Sequence, residues 1–414
     1  MRLQLIEQVC LGAVLLGWAT GAHATDGTRA ADHAPAAIAE GTATSRTVTA
    51  HASAHTAVYT DTDHVMVVTP VVSGDVENPL AGYRLEAAYL VDVISAASVD
   101  IVSTASRRWQ ETRHAGTLDA SYGPKNVTVH ATGAISREPD YAAIAGGARV
   151  TWDFWDKNHT LLVGFAHDQD TIGRTGTSFD VFSHKLDVNT FDAGLALTLN
   201  RSTLLSLVSD LILERGDQSK PYRYIPMFSA SVAPGVEKGA SMDSVNAQRL
   251  AERPLEHLPE TRERYALTAR FGHRFDHATL RIDERVYSDS WNLHASTTEI
   301  RYYVDVSRRL MLWPKLRVHG QTATYFWRRA YVATLGAAGA LDVPRYRTGD
   351  RELGPLGTVA LGFGGSFAFG SSVRPSAWTL VAQVDAIRTQ FLDDLYVTSR
   401  TAALGTLGVE GAFE

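Results

Sequence analysis

The chain has 414 residues, a formal net charge of −6 and 45% hydrophobic residues, with a mean hydropathy of −0.10 and a pI near 6.2. The mildly acidic pI argues against a nucleic-acid partner, and the length is generous for one soluble domain but ordinary for one large barrel. Composition alone does not separate a soluble protein from a membrane barrel, because a polar lumen face dilutes an apolar lipid face.

Residues 1–24 read as a secretory signal peptide. Arg2 precedes an apolar stretch from Val9 to Ala19, and Ala22-His23-Ala24 offers a small-x-small site for cleavage near Ala24. Glu7 is an unusual acid for such a leader. The apolar stretch falls short of the roughly 20 residues that a spanning helix needs. The only cysteine, Cys10, lies inside this segment, and Glu7-Gln8-Val9 before it is no lipoprotein box. The mature chain is thereby expected to lack disulfides, thiolate metal sites and cysteine nucleophiles. Its charge stays at −6, because Arg2 and Glu7 cancel. Residues 25–45, rich in Ala, Thr and Gly, read as a disordered periplasmic linker. His23, His33, His51 and His55 are spaced loosely, as in a solvated linker rather than a metal tract.

From residue 46 to residue 414 the pattern is strand, connection, strand. Thr47 to Tyr59 and a run beginning near Val65 open the series, joined through Thr60-Asp61-Thr62-Asp63. Next, Tyr83, Leu85, Ala87, Tyr89, Val91 and Val93 alternate with Arg84, Glu86, Ala88 and Asp92. Val127, Val129, Ala131 and Ile135 alternate with Thr128, His130, Thr132 and Ser136. Further along, Tyr265, Leu267, Ala269, Phe271 and Phe275 oppose Thr268, Arg270, Gly272 and Arg274, and Ile300, Tyr302, Val304 and Val306 oppose Glu299, Arg301, Tyr303 and Asp305. The clearest run is Val359, Leu361, Phe363, Gly365, Phe367 and Phe369, set between Thr358, Ala360, Gly362, Gly364, Ser366 and Ala368. A period of two is the period of a β-strand. One face is apolar throughout and the other often carries full charges. The longest apolar run after the leader, Leu204 to Leu213, is interrupted by Ser206, Ser209 and Asp210. A membrane form of this chain is therefore a barrel.

Tight turns at Gly123-Pro124-Lys125-Asn126, Asp156-Lys157-Asn158-His159, Asn200-Arg201-Ser202 and Asp276-His277 alternate with longer links at 94–111, 169–186, 215–262 and 328–354. Short periplasmic turns and long extracellular loops alternate in this way in transmembrane barrels. Five of the 14 prolines fall in 215–262 (Pro221, Pro226, Pro234, Pro254 and Pro259), which removes that segment from the sheet. Aromatic clusters at Trp152, Phe154 and Trp155, at Trp313, and at Tyr325, Phe326 and Trp327 suit girdles at the headgroup boundary. The last strand, about Thr401 to Phe413, carries Leu407, Val409, Gly411 and Phe413 on one face. That resembles the C-terminal signal read by the barrel-assembly machinery, although Glu414 follows the aromatic. The expected fold is an all-β, transmembrane, antiparallel up-and-down barrel in a bacterial outer membrane, with about 16 strands and 14 as the neighbouring even count.

The stretch Tyr89-Leu90-Val91-Asp92-Val93-Ile94-Ser95-Ala96-Ala97-Ser98-Val99-Asp100 resembles a bacterial family catalogued as domain-of-unknown-function family 3570. Tyr59-Thr60-Asp61-Thr62-Asp63-His64 leading to Val68-Thr69-Pro70, Lys220-Pro221-Tyr222-Arg223-Tyr224 and Leu258 to Arg264 fit the same family in the expected order. The resemblance implies an outer-membrane β-barrel. It implies no activity, so no catalytic residues carry over.

No nucleophile elbow, phosphate loop or His-Glu-x-x-His helix is present, and neither enzyme chemistry nor a cofactor is expected. The minor alternative is an outer-membrane hydrolase; Ser206 and Ser209 lie on a suitable strand, without a histidine beside them. Asp61-Thr62-Asp63 and Asp168-Gln169-Asp170 are spaced as in Ca²⁺ loops, but also as in ordinary turns, so no metal is expected. The inward-facing set Arg270, Arg274, Arg281, Arg285, Arg301, Lys315 and Arg317 lies on four consecutive predicted strands, with Glu86, Asp92, Asp119, Asp153, Asp192 and Asp210 on the same face earlier in the chain. Two readings stand side by side. The two sets line a wet pore and set a field across it, or acids such as Asp283, Glu299 and Asp305 neutralise neighbouring arginines and brace the wall.

Two functions follow. The first is a passive channel for small hydrophilic solutes. The second is a scaffolding barrel of an envelope assembly, motivated by the polar link 94–111, since binding function tends to sit on loops. Segment 215–262 carries Tyr222, Arg223, Tyr224, Met227 and Phe228, with a short helix expected over Ser244 to Glu252. It is expected to fold over or into the barrel mouth and narrow it, with Arg223, Arg249 and Glu252 facing the solute path.

Overall fold

The computed structural model describes residues 48–96, 109–336, 341–370 and 375–413. The expected leader and linker lie outside these residues, as does most of the link 94–111. Sixteen strands form one closed barrel: β1 Thr49–Asp61, β2 Val65–Asn78, β3 Tyr83–Ala96, β4 Trp109–Tyr122, β5 Val127–Glu138, β6 Tyr141–Phe154, β7 His159–Ile172 and β8 His184–Asn200 make up the first half. The second half is β9 Thr203–Gly216, β10 Thr261–Arg274, β11 Ala278–Asp289, β12 His294–Asp305, β13 Leu310–Gln321, β14 Leu356–Gly370, β15 Pro375–Phe391 and β16 Ser399–Phe413. Each pairs antiparallel with its neighbours in the sequence, and β1 closes the ring on β16 from Ala50↔Phe413 to Asp61↔Ala402. Closure leaves no strand edge unpaired.

The alternation decides which face points where. Val359, Leu361 and Phe363 on β14 are 46%, 62% and 51% exposed, while Leu356 and Ala360 on the other face are buried. Residues opposite one another across a pair share a face, so the registers extend this assignment around the ring. The outward face is an apolar belt of Val, Leu, Ile and aromatic side chains, and the inward face carries the charges. An exposed apolar surface of that extent, on a closed barrel, is a surface for lipid.

All the long connections emerge at one end and the short ones alternate at the other. The turn between β2 and β3 shows why local sequence matters there. Gly82 has φ +74°, and a Cβ on it would lie 2.6 Å from the Pro124 backbone in the next turn. Its carbonyl accepts from the Gly123 amide at 2.7 Å. Only glycine combines that dihedral with that approach. The segment between β9 and β10 holds a short helix, α1, Met242–Gln248, capped by Ser241. It begins two residues earlier and ends four residues earlier than expected, because the Ser241 hydroxyl accepts from the Ser244 amide and fixes the start. Within the same segment Met227–Phe228 pairs in parallel with Tyr331–Val332.

Two of the expected girdle clusters are corrected. Trp313 sits on the inward face of β13, 7% exposed, where it packs on Tyr303 and donates to Gln383 at 3.1 Å. Phe326 and Trp327 lie beyond β13 in a loop core with Trp291, Leu293 and Leu353. Apolar loop packing, not the bilayer boundary, holds them. Trp152 and Trp155 are outward and exposed at a short turn, as a girdle requires.

Glu284 is an outward exception midway along β11, opposite Ala269 and Thr298. Ser296 and Thr298 donate to it at 2.7 and 2.5 Å. A charge on the lipid face costs up to about 2–4 kcal/mol for a base at mid-bilayer and less for an acid. Glu284→Gln keeps an acceptor for one hydroxyl, offers an amide N–H to the other and removes the charge. It is expected to raise the thermal unfolding midpoint in liposomes; a lowered midpoint would mean that this face does not meet lipid.

Candidate functional site: a charged lumen beneath a packed mouth

Every residue of the expected cationic set stands on the inward face. β10 contributes Arg262, Arg264, Arg270 and Arg274, and β11 contributes Arg281 and Arg285 beside Asp283 and Asp289. β12 adds Arg301 beside Glu299 and Asp305, and β13 adds Lys315 and Arg317. Four adjacent strands thus present nine bases against four acids. Eight strands away, on the far side of the ring, β2–β5 present Asp75, Glu77, Glu86, Asp92, Glu111, Asp119 and Glu138 against Arg84 and Arg113. The two walls carry opposite net charge.

Most of these groups also have local partners. Arg281 pairs with Asp283 at 3.2 Å, Arg285 with Asp210 at 2.9 Å, and Arg301 with Glu299 at 2.5 Å. Lys315 reaches Asp385 at 2.7 Å, Arg317 reaches Glu299 at 3.6 Å, and Arg274 pairs with Asp305. Among the acids, Glu86 meets Arg84 at 2.7 Å, Asp92 meets Arg113 at 2.5 Å and Asp192 meets Arg149 at 3.2 Å. Asp153 accepts from Thr160 at 2.6 Å, and Asp119 from Thr132. The Nε of Arg270 has no acceptor among the described residues. The pairs brace the wall, and the two walls still differ in the sign of their net charge.

The long connections pack over the mouth. Segment 217–260 touches turns far apart on the rim: the Tyr222 hydroxyl donates to Asp140 between β5 and β6 at 3.0 Å. The amides of Gly239 and Ala240 donate to Asp394 and Leu395 between β15 and β16. Phe228, Val236 and Val245 bury against Leu395, and Ile225 and Met227 against Tyr331 and Ala333. Arg223 is the polar centre, 2.9 Å from Glu256 and 3.2 Å from Asp350, with Thr348 donating to Glu256 at 2.6 Å. Arg351, 1% exposed, ties segment 322–355 to Asp63 at 2.7 Å. Burial pushes the Asp63 carboxyl above its ordinary range, against the pull of Arg351. Burial also pushes the Tyr331 hydroxyl up to about 12, so it stays protonated and donates to the Phe326 carbonyl at 3.0 Å.

Of the three residues expected to face a solute path, Arg223 is tied into the cap. Arg249 bonds to Asn246 and to the Leu250 and Ala251 carbonyls. Glu252 lines a cleft of about 330 Å³ with Arg253, Pro254, Leu341 and Val343. The acid pairs read as possible Ca²⁺ loops have other settings. Asp61 caps its turn by accepting from the Asp63 and Val65 amides. Asp168 and Asp170 are inward positions on β7, not loop residues. Ser206 faces the lumen opposite Arg270, and Ser209 faces outward opposite Leu267. One acidic group went unread in the sequence: carboxylate oxygens of Glu111, Glu138 and Asp140 lie within 4.8 Å of one another. Two strands and a turn supply them, so spacing gives no signal.

Arg223→Ala would leave Glu256 and Asp350 buried without that counter-charge, a change that costs about 3–5 kcal/mol when a buried pair is broken. Tryptic cleavage after Arg249 is expected to accelerate strongly, with the heat-modifiable mobility of the barrel unchanged. Tyr331→Phe, losing the hydroxyl's hydrogen bonds to Phe326 and Thr348, is expected to cost about 1–2 kcal/mol and to accelerate cleavage less.

The model of the family described as a protein of unknown function (DUF3570) matches residues 105–379. No curated protein matches the sequence. Among solved structures, the siderophore receptor PirA from Acinetobacter baumannii is similar at 9% identity and a TM-score of 0.42, over 83% of this chain and 53% of that one. The chain thus spans about half the length of that receptor. A bacterial polysaccharide outer membrane secretin is similar at 8% identity and a TM-score of 0.43, over 89% and 98% of the two chains. OccAB1 from Acinetobacter baumannii gives 10% and 0.40, over 89% and 97%. With its model matched over more than half of the sequence, the family is settled: the chain belongs to DUF3570.

Proposed function

We propose that the protein is a passive outer-membrane channel for small hydrophilic solutes, with the expected pore-lining residues along its wall and segment 217–260 narrowing its mouth. The observation that carries this reading is the exposure of charged heads on the inward face. Arg317, Glu86 and Arg285 point into the barrel yet keep 44%, 40% and 39% of their side-chain surface accessible. A lumen packed like a core would bury them. Sixteen strands enclose a bore wide enough for water, and charges that stay solvated there cost little, whereas desolvated ones cost several kcal/mol each. The apolar outer belt supports placement in the bilayer, and secretion through the expected leader supports the outer membrane as the site.

Purified protein in planar bilayers is expected to show stepwise currents. Their absence over a range of salts would sink the channel while leaving the barrel intact. Deleting residues 225–250 is expected to raise single-channel conductance and admit larger solutes, with the barrel's heat-modifiable mobility kept. Unchanged conductance would remove the constriction role from the cap.

A further inference from the structure

The registers of β10–β14 place three bases side by side on the inward face. Arg281 lies opposite Arg301, and Arg301 opposite Lys315. Gly272 leaves one end of this row open, while at the other end the Asp385 carboxylate lies over Gly362 and pairs with Lys315 at 2.7 Å. Like charges directly opposite one another in a sheet repel, and the wall tolerates the row because acids lie around it. Three of those acids are recessed: Glu299, Asp385 and Asp210 are 11%, 3% and 8% exposed, against 30% for Arg301 and 44% for Arg317. Arg281 and its partner Asp283 stand level at 22% and 23%, and Lys315 lies deeper at 11%. Even where its bases are ion-paired, the wall presents guanidinium groups to the lumen. The Nε groups of Arg270 and Arg301 have no acceptor among the described residues. On the far wall Glu86 stands at 40% while Arg113 is sunk at 5%, although Asp75 and Asp92 are also sunk, at 7% and 0%.

We infer that the row Arg281–Arg301–Lys315, with Arg317 beside it, is a docking station for a carboxylate or phosphate group on a small solute. The inference deepens the channel reading and rests on it. Guanidinium forks take oxyanions by paired hydrogen bonds, and a lysine adds a point charge. The acidic wall opposite favours a solute whose remainder is neutral or cationic.

The test is calorimetric titration of the full-length barrel in detergent at low ionic strength, with inorganic phosphate and separately with succinate. Saturable binding of at least one is expected, weakening as salt is added; the two arms tell a phosphate from a carboxylate preference. Arg281→Gln with Arg301→Gln is expected to lower affinity at least about tenfold, the factor that loss of one charged hydrogen-bond partner corresponds to. Arg308→Gln with Arg309→Gln makes the same charge change in the turn after β12 and is expected to leave affinity unchanged. Should the first pair of substitutions disturb the heat-modifiable mobility, Arg317→Gln carries the test, with a fall in affinity expected. No saturable binding by the native protein, equal losses in the two double variants, or unchanged affinity in Arg317→Gln overturns the station. A silent bilayer with binding intact would instead overturn the channel and spare the station.

Discussion

Backbone pairing is the constraint on which the rest depends. A strand that faces hydrocarbon has no water to satisfy its amides and carbonyls, and each unsatisfied group costs several kcal/mol. The chain answers by pairing every strand on both sides and returning β16 to β1 over twelve residue pairs. Once the ring closes, the two faces are fixed for all sixteen strands together. A slip of one residue at any strand would turn its apolar set inward and its charges toward lipid. The registers of β10 with β11 and of β11 with β12, continuous over whole strands, are what bring Arg270 opposite Asp283 and Asp283 opposite Glu299.

The inward face follows from that closure. A charge inside a barrel has two ways to remain ionised, solvent or a partner, and this lumen uses both. Asp92 has no exposed surface and rests between Arg113 and Thr69, so it belongs to the wall. Arg317 keeps 44% of its side chain open and its nearest carboxylate is 3.6 Å away, so it belongs to the water. Acids recessed beneath Arg301 and Arg317 separate the charges in depth, so that a wall cationic in sum is more strongly cationic at its surface. That separation depends on side-chain length: aspartate and glutamate end close to the sheet, whereas arginine carries its charge further out.

The mouth is held on different terms. Segments 217–260 and 322–355 have little sheet of their own and gain their stability by burying Phe228, Met227, Tyr331 and Trp327 against each other and by enclosing Arg223 with Glu256 and Asp350. Few of those contacts are local in sequence. Such a cap can loosen at much lower cost than the ring beneath it, where opening one strand breaks two ladders.

What the sequence by itself determined is whatever has a local period or a local turn. The alternation at Val359–Phe369 fixed a strand and its lipid face, and the spacing of short and long links fixed the order of strands and which end bears the loops. Even the inward set could be read, since a side chain's face is set by its parity within a strand. Tertiary structure decided everything that needs two strands at once. Trp313 reads as a girdle residue because it is aromatic and sits near a strand end, although it shares its parity with Lys315 and Arg317; only the pairing with β12 supplies Tyr303, the ring on which it packs. The start of α1 hangs on one hydroxyl of Ser241. Glu111, Glu138 and Asp140 converge, and Arg281, Arg301 and Lys315 fall into one row, through register alone. Register is a relation between segments tens of residues apart, set by hydrogen bonding and by which faces bury, and no single window of the chain contains it.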